Sequence, residues 1–107
     1  MNQMNIYFAS DTDLSEYEAI SKGYRHDVFV RINEIYYHIN IYTIERLTQD
    51  FKVEMECDGY FAIEPNIVLV KESSKKEIIF TLNHLYLGNY FDNLATCNDI
   101  PELVKIQ

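Results

Sequence analysis

The stretch from Val28 to Tyr42 constrains the fold more than any other part of the chain. Val28, Val30 and Ile32 alternate with Phe29 and Arg31, and after Asn33-Glu34 the alternation resumes as Ile35, Tyr37, Ile39 and Ile41 against Tyr36, His38, Asn40 and Tyr42. A period of two sustained this long places one row of side chains on each face of a pleated ribbon, so the stretch reads as a β-hairpin. With Asn33-Glu34 as a two-residue turn, Val28 pairs with Ile39, Val30 with Tyr37 and Ile32 with Ile35 on the core face. Phe29–His38 and Arg31–Tyr36 then pair on the other. Glu34 is a poor residue for a turn that needs positive φ, and a longer loop shifts this register by one.

A hairpin needs further strands or a helix to be stable, and the flanking sequence offers both. Ile6-Tyr7-Phe8 reads as a short opening strand. A helix follows Ser10-Asp11-Thr12, with Asp13 as N-cap, Glu16 in capping-box position, Leu14, Tyr17 and Ile20 facing inward, and Gly23 ending it. From Thr43 the period becomes helical: Ile44, Leu47, Phe51 and Met55 form the apolar stripe, opposite Glu45, Arg46, Gln49 and Asp50, with a stop near Asp58-Gly59. Tyr60 to Ile63 reads as extended, and Ile67-Val68-Leu69-Val70 as a strand buried on both faces at the centre of the sheet. Ser74-Lys75-Lys76-Glu77 is a capping box opening a helix that buries Ile78, Ile79, Leu82, Leu85 and Tyr86, with Gly88-Asn89 supplying a left-handed stop. The tail from Asn98 is compatible with a short helix or a strand. The expectation is a single α+β domain over residues 1–107, with a mainly antiparallel sheet of about four to five strands and about three helices.

Charge narrows the function. Seventeen acids against nine bases give a net charge of −8, which repels phosphate backbones and anionic lipid and favours a basic protein partner. Acidity also serves plain solubility, and charge alone does not separate the two. Met1 to Asn5 lacks a signal peptide's basic start and apolar stretch, and no apolar run reaches membrane length, so the expectation is a cytoplasmic protein without membrane or direct nucleic-acid contact. Cys57 and Cys97 lie in no redox or zinc spacing and read as reduced, half-buried fillers.

Catalytic chemistry finds little purchase. His26 beside Asp27 has no nucleophile at a useful spacing, His84 reads as a half-exposed helix residue, and no metal-ligand spacing or phosphate-binding glycine loop occurs. The expectation is a non-enzyme without metal or cofactor. Tyr36, His38, Asn40 and Tyr42 form a polar-aromatic strip, which is either a solvated interface or a covered set of core polar groups. Two stretches carry acids and no bases. Asp11, Asp13, Glu16 and Glu18 fall in residues 1–21, where helix N-terminal placement explains them. Glu54, Glu56, Asp58 and Glu64 fall in residues 53–70, around a loop bearing Tyr60, and are the principal partner-binding candidates. Asp11, Asp13 and Glu16 are secondary candidates, with Tyr36, His38 and Tyr42 from the strip.

Pro65 to Val70, Ser74 to Leu87 and Gly88-Asn89-Tyr90-Phe91 resemble immunity proteins of bacterial contact-dependent growth inhibition systems, particularly those neutralising ribonuclease toxins. The likeness covers about a third of the chain and consists of a strand, a capped helix and aromatics after the helix end. It implies a cytosolic inhibitor that binds a cognate toxin, a basic nuclease, and occludes its active site. Two other functions stay open: an acidic mimic of nucleic acid directed at a DNA-binding protein, and a small ligand-binding or enzymatic domain using His38 with Tyr36 and Tyr42. Oligomeric state is not set by the sequence.

Overall fold

A computed structural model describes residues 3–107. Met1 and Asn2, part of the stretch scanned for a signal peptide, lie outside the described residues. The chain forms β1 (Met4–Phe8), α1 (Asp13–Lys22), β2 (Tyr24–Ile32), β3 (Ile35–Tyr42), α2 (Ile44–Cys57), β4 (Ile67–Leu69), α3 (Lys75–Leu87), a 3-10 turn (Tyr90–Asn93) and β5 (Val104–Lys105). This is the expected α+β domain: three α-helices and a five-stranded sheet in the order β4-β3-β2-β1-β5, antiparallel except for the β3–β4 pair.

The hairpin has the register the alternation predicts, from Val28 opposite Ile39 to Ile32 opposite Ile35. Asn33 and Glu34 both adopt positive φ, 51° and 67°, so the two-residue turn forms although Glu is a poor fit for it. The right-handed twist of the paired strands outweighs the residue preference. β2 starts earlier than the alternation suggests, because a bulge between Arg25 and Val28 breaks the period of two while pairing continues back to Tyr24.

One face of the sheet carries the core. Ile6, Phe8, Val28, Val30, Ile39 and Ile41 are fully buried there against Ile78 and Leu82 of α3 and Phe91 of the 3-10 turn. Ser74 caps α3 by accepting from the Glu77 backbone N–H at 3.3 Å. The helix ends with Gly88 at φ −90°, and Asn89, at φ 60°, takes the left-handed position. The tail resolves as a strand, β5 pairing with β1. Since Cys97 bridges Tyr36 at the opposite edge and α3 fills the core face, residues 98–103 cross the other face of the sheet. Phe29, which points there, is accordingly buried.

Several expectations are corrected. α1 is capped by Thr12, with Ser15 completing a reciprocal box, and Asp13 and Glu16 sit in the first turn. Thr12 and Ser15 are both short hydroxyl residues and close this box without the longer Glu side chain. Leu14, Tyr17 and Ile20 are exposed; α1 meets the body through Ala19, whose carbonyl accepts from the buried Ser73 hydroxyl at 2.6 Å. β4 lies at the edge of the sheet, with Val68 and Val70 buried but Leu69 exposed. It pairs in parallel with β3, and α2 is the crossover connection that a parallel pair requires. Tyr60 to Ile63 forms no strand. Cys57 is exposed and Cys97 half-buried, both as free thiols. Among the described residues, no helix is long and apolar enough to cross a membrane.

Candidate functional site

The second helix is held mainly by its first turn. Thr43 caps it and donates its backbone N–H to the Gly23 carbonyl at 2.8 Å. Gly23 has φ 75°, and a Cβ there would lie 2.8 Å from Thr43 Oγ1, so only glycine lets the end of α1 abut the start of α2. Arg46 completes the anchor: its guanidinium lies 4.4 Å over the Tyr24 ring, donates to the Lys22 carbonyl at 3.0 Å and pairs with Asp50 at 2.9 Å.

This anchor sets the helix in an unexpected rotation. Arg46 and Asp50, placed by the sequence on the outer face, are half-buried against the body, while Ile44, Phe51 and Met55 of the stripe expected to face the core are 56%, 48% and 42% exposed. Leu47 is half-buried, and no residue of α2 is fully buried. An amphipathic helix ordinarily turns its stripe inward. Here a cation–π contact and two polar bonds fix the polar side inward, and α3 already fills the core face.

The far end of α2 and the following loop border an open cavity of about 390 Å³ lined by Tyr42, Asp50, Val53, Glu54, Asp58, Tyr60, Phe61, Ala62 and Glu64. Five of the sequence candidates therefore meet at one place: Glu54, Asp58, Tyr60, Glu64 and Tyr42. Glu56 is exposed on α2 and does not line the cavity. Gly59, at φ 79°, lets the chain reverse after the helix and brings Tyr60 to Glu64 back toward Tyr42. The floor is a polar chain. His26 Nε2 lies 3.1 Å from the Tyr42 hydroxyl, which donates to Glu64 Oε1 at 2.7 Å. Burial, then the Glu64 carboxylate, raises the Tyr42 hydroxyl pKa well above its ordinary value, so it remains a donor at any physiological pH.

The electrostatics at this end are unfavourable for the isolated molecule. α2 has no basic residue in its last turn, so Glu54, Glu56 and Asp58 stand where the helix dipole is negative. Among the described residues none of Glu54, Glu56, Asp58 and Glu64 is in an ion pair. Crowding is visible in Glu54, whose pKa is raised by a hydrogen bond shared with Asp58, then by desolvation and by the charges of Asp58 and Asp50. Among the described residues no group of three His, Cys, Asp or Glu side chains converges as a metal site would require. The carboxylates are spread around a wall that also presents Tyr42, Tyr60 and Phe61, a lining that suits an ammonium or guanidinium side chain through charge-assisted hydrogen bonds and ring faces.

In comparisons with known proteins, no family model, curated protein or solved structure matches the chain.

The remaining candidates go elsewhere. Asp11 pairs with Lys75 at 3.0 Å, and Glu16 accepts the Lys75 backbone N–H through both oxygens at 3.1 and 3.0 Å while lying 3.6 Å from Arg25. Those acids tie α1 to α3 and β2; Asp13 is exposed in the first turn of α1. The polar-aromatic strip is divided. Asn40 and Tyr42 are buried, and Tyr36 and His38 half-buried. His38 stacks on Phe29 at 4.6 Å and donates from Nε2 to the His26 carbonyl. Tyr36 lines a separate cleft with Glu34, Ile35, Cys97 and Ile100, and His38 lines neither that cleft nor the acidic cavity.

Asp50 and Phe61 belong to the cavity and were not singled out from the sequence. Asp50 sits four residues before Glu54, on the same side of a helix, and that spacing was the available signal.

Proposed function

We propose that this protein is a cytoplasmic immunity-type inhibitor that binds the basic toxin domain of a cognate nuclease, of the ribonuclease class, and blocks its active site. The observation that carries the proposal is the acidic cavity at the end of α2. Four carboxylates and three aromatic rings are held there, and three of the four carboxylates have no cationic partner among the described residues. A nuclease must present Lys or Arg side chains to its nucleic-acid substrate's phosphates. Those side chains are the complement of this wall, so occupying them both anchors the inhibitor and excludes RNA.

The fold supports the proposal in a second way. The segments resembling growth-inhibition immunity proteins form β4, α3 and the 3-10 turn, which are scaffold, and the acids are carried on a separate helix-loop unit that can vary without disturbing the core. Inhibition of this type works by occlusion and needs no catalytic group.

The test is protection. The proposal requires an adjacent gene that encodes a toxin domain; cells producing that domain should survive when they also produce the wild-type protein, and the purified pair should bind with strong salt dependence. Failure of the wild-type protein to bind that domain or to protect the cells would overturn the proposal.

A further inference from the structure

We infer that the exposed stripe of α2 docks a basic amphipathic helix of the partner, with Ile44, Leu47, Phe51 and Met55 as the apolar seam. This rests on the basic-partner reading and specifies how that partner is held. The four residues follow i, i+3, i+7 and i+11, a single straight row of about 16 Å along the helix. Three of them are at least two-fifths exposed, and Phe51 packs edge-on with Phe61 at 5.8 Å.

The charges beside the seam select its occupant. Glu45 and Glu56 lie on one side of it, with Lys52 between them and the seam, and Glu54 lies on the other, where Asp50 is already paired with Arg46. A second copy of α2 would place like charges opposite each other on a chain already carrying −8. A helix with an apolar seam flanked by Lys or Arg meets both features at once. The division of labour follows: the seam holds the complex together, and the acids speed its formation and set its salt dependence.

A synthetic Leu/Lys amphipathic peptide of the same 14-residue length as α2 is the probe, titrated into the purified full chain at low ionic strength. Wild-type protein should bind it, and Phe51→Gln/Met55→Gln should weaken binding about 30-fold or more, mainly through faster dissociation. Leu14→Gln/Tyr17→Gln removes apolar groups that are still more exposed, on the acidic helix α1, and should leave binding unchanged. Leu14→Gln/Tyr17→Gln should melt as the wild type does, and Phe51→Gln/Met55→Gln only slightly below it, because about half of each of its altered side chains is already exposed.

The inference is overturned if the wild-type protein does not bind the peptide, or if both double variants weaken binding alike. It is also overturned if sedimentation shows a dimer that Phe51→Gln/Met55→Gln dissociates, since the seam would then belong to a second copy. If reversing Glu54, Glu56 and Asp58 abolishes binding while Phe51→Gln/Met55→Gln does not, the docking mode fails and the basic-partner reading survives. Loss of toxin protection in the wild type, by contrast, strikes that reading alone.

Discussion

Around residues 11–16, carboxylates meet cations and backbone N–H groups of their own molecule; around residues 54–64 they are in no ion pair among the described residues, and Glu54 is crowded by Asp58. Glu16 caps the start of α3 and approaches Arg25, and Asp11 pairs with Lys75. At the end of α2, the neighbouring Asp58 carboxyl raises the pKa of Glu54. Both stretches lack Lys and Arg in the sequence, so local composition does not distinguish them. What does is where the chain brings distant cations: Arg25 and Lys75 arrive at the first stretch, and among the described residues none pairs with the second. An acid satisfied internally is structural, whereas a set of acids held together against their repulsion and the helix dipole is available to an external cation.

The comparison breaks most visibly at Arg25. Its side chain is 4% exposed, packs over Phe8 at 3.7 Å and pairs with Asp27 at 2.7 Å. Arg25→Met keeps the packing but strands Asp27 and Glu16, which are partly hydrated. The cost should therefore be about 2–3 kcal/mol, below the ~3–5 kcal/mol of a fully buried pair. Denaturant unfolding measures it, and a loss under about 1 kcal/mol would mean that the first acidic stretch is not organised by this cation.

The next effect is on binding. Reversing Glu54, Glu56 and Asp58 to Lys should weaken the toxin complex by about tenfold to a hundredfold and flatten its salt dependence. The melting temperature should hold or rise, because lysines at a helix C-terminus complement the dipole. Unchanged affinity would place the interface elsewhere, and a large drop in melting temperature would show these acids to be structural like the first group.

Much of this was legible in the sequence, and the gaps have physical causes. The hairpin register was readable because a period of two has only two phases, and burying one face selects between them. The helix ends at Gly23 and Gly88-Asn89 were readable because their backbone requirements are local. The rotation of α2 was not. Its stripe was assigned inward on the rule that apolar faces are buried, and that rule was overridden by Arg46 on Tyr24, a contact 22 residues apart that no periodicity encodes. The edge position of β4 was missed for a related reason. A run of four apolar residues suits a doubly buried strand, but Leu69 is about half exposed on an edge strand. The run of acids around residues 54–64 is readable from composition, whereas their lack of ion pairs among the described residues depends on tertiary placement.

A smaller effect separates the two stretches by stability alone. Glu16→Ala removes the carboxylate that accepts the Lys75 N–H at the head of α3, and loss of a capping acceptor costs about 1–2 kcal/mol. Glu56→Ala, on a side chain with no partner among the described residues, should change stability by no more than about 0.5 kcal/mol. Equal losses in the two variants, measured by thermal unfolding, would erase the distinction between a structural and an available acid.

The smallest effect is a titration. Glu54 has a raised pKa because Asp58 hydrogen-bonds it and adds negative charge, so in the folded protein it holds its proton to higher pH than in the unfolded chain. The stability this contributes is fully present below the unfolded value and is lost as pH rises through the folded value. The melting temperature should therefore decline slightly across that mildly acidic window, and Asp58→Asn should remove the decline and return Glu54 toward an ordinary carboxyl titration by NMR. A bound cation acts in the same direction as Asp58→Asn, since positive charge favours the ionised carboxyl. Complex formation in this window should then release a proton, which calorimetry in buffers of different ionisation enthalpy detects. No release, together with a normal Glu54 titration in the free protein, would show that the acids at the end of α2 are too far apart to act as one receptor.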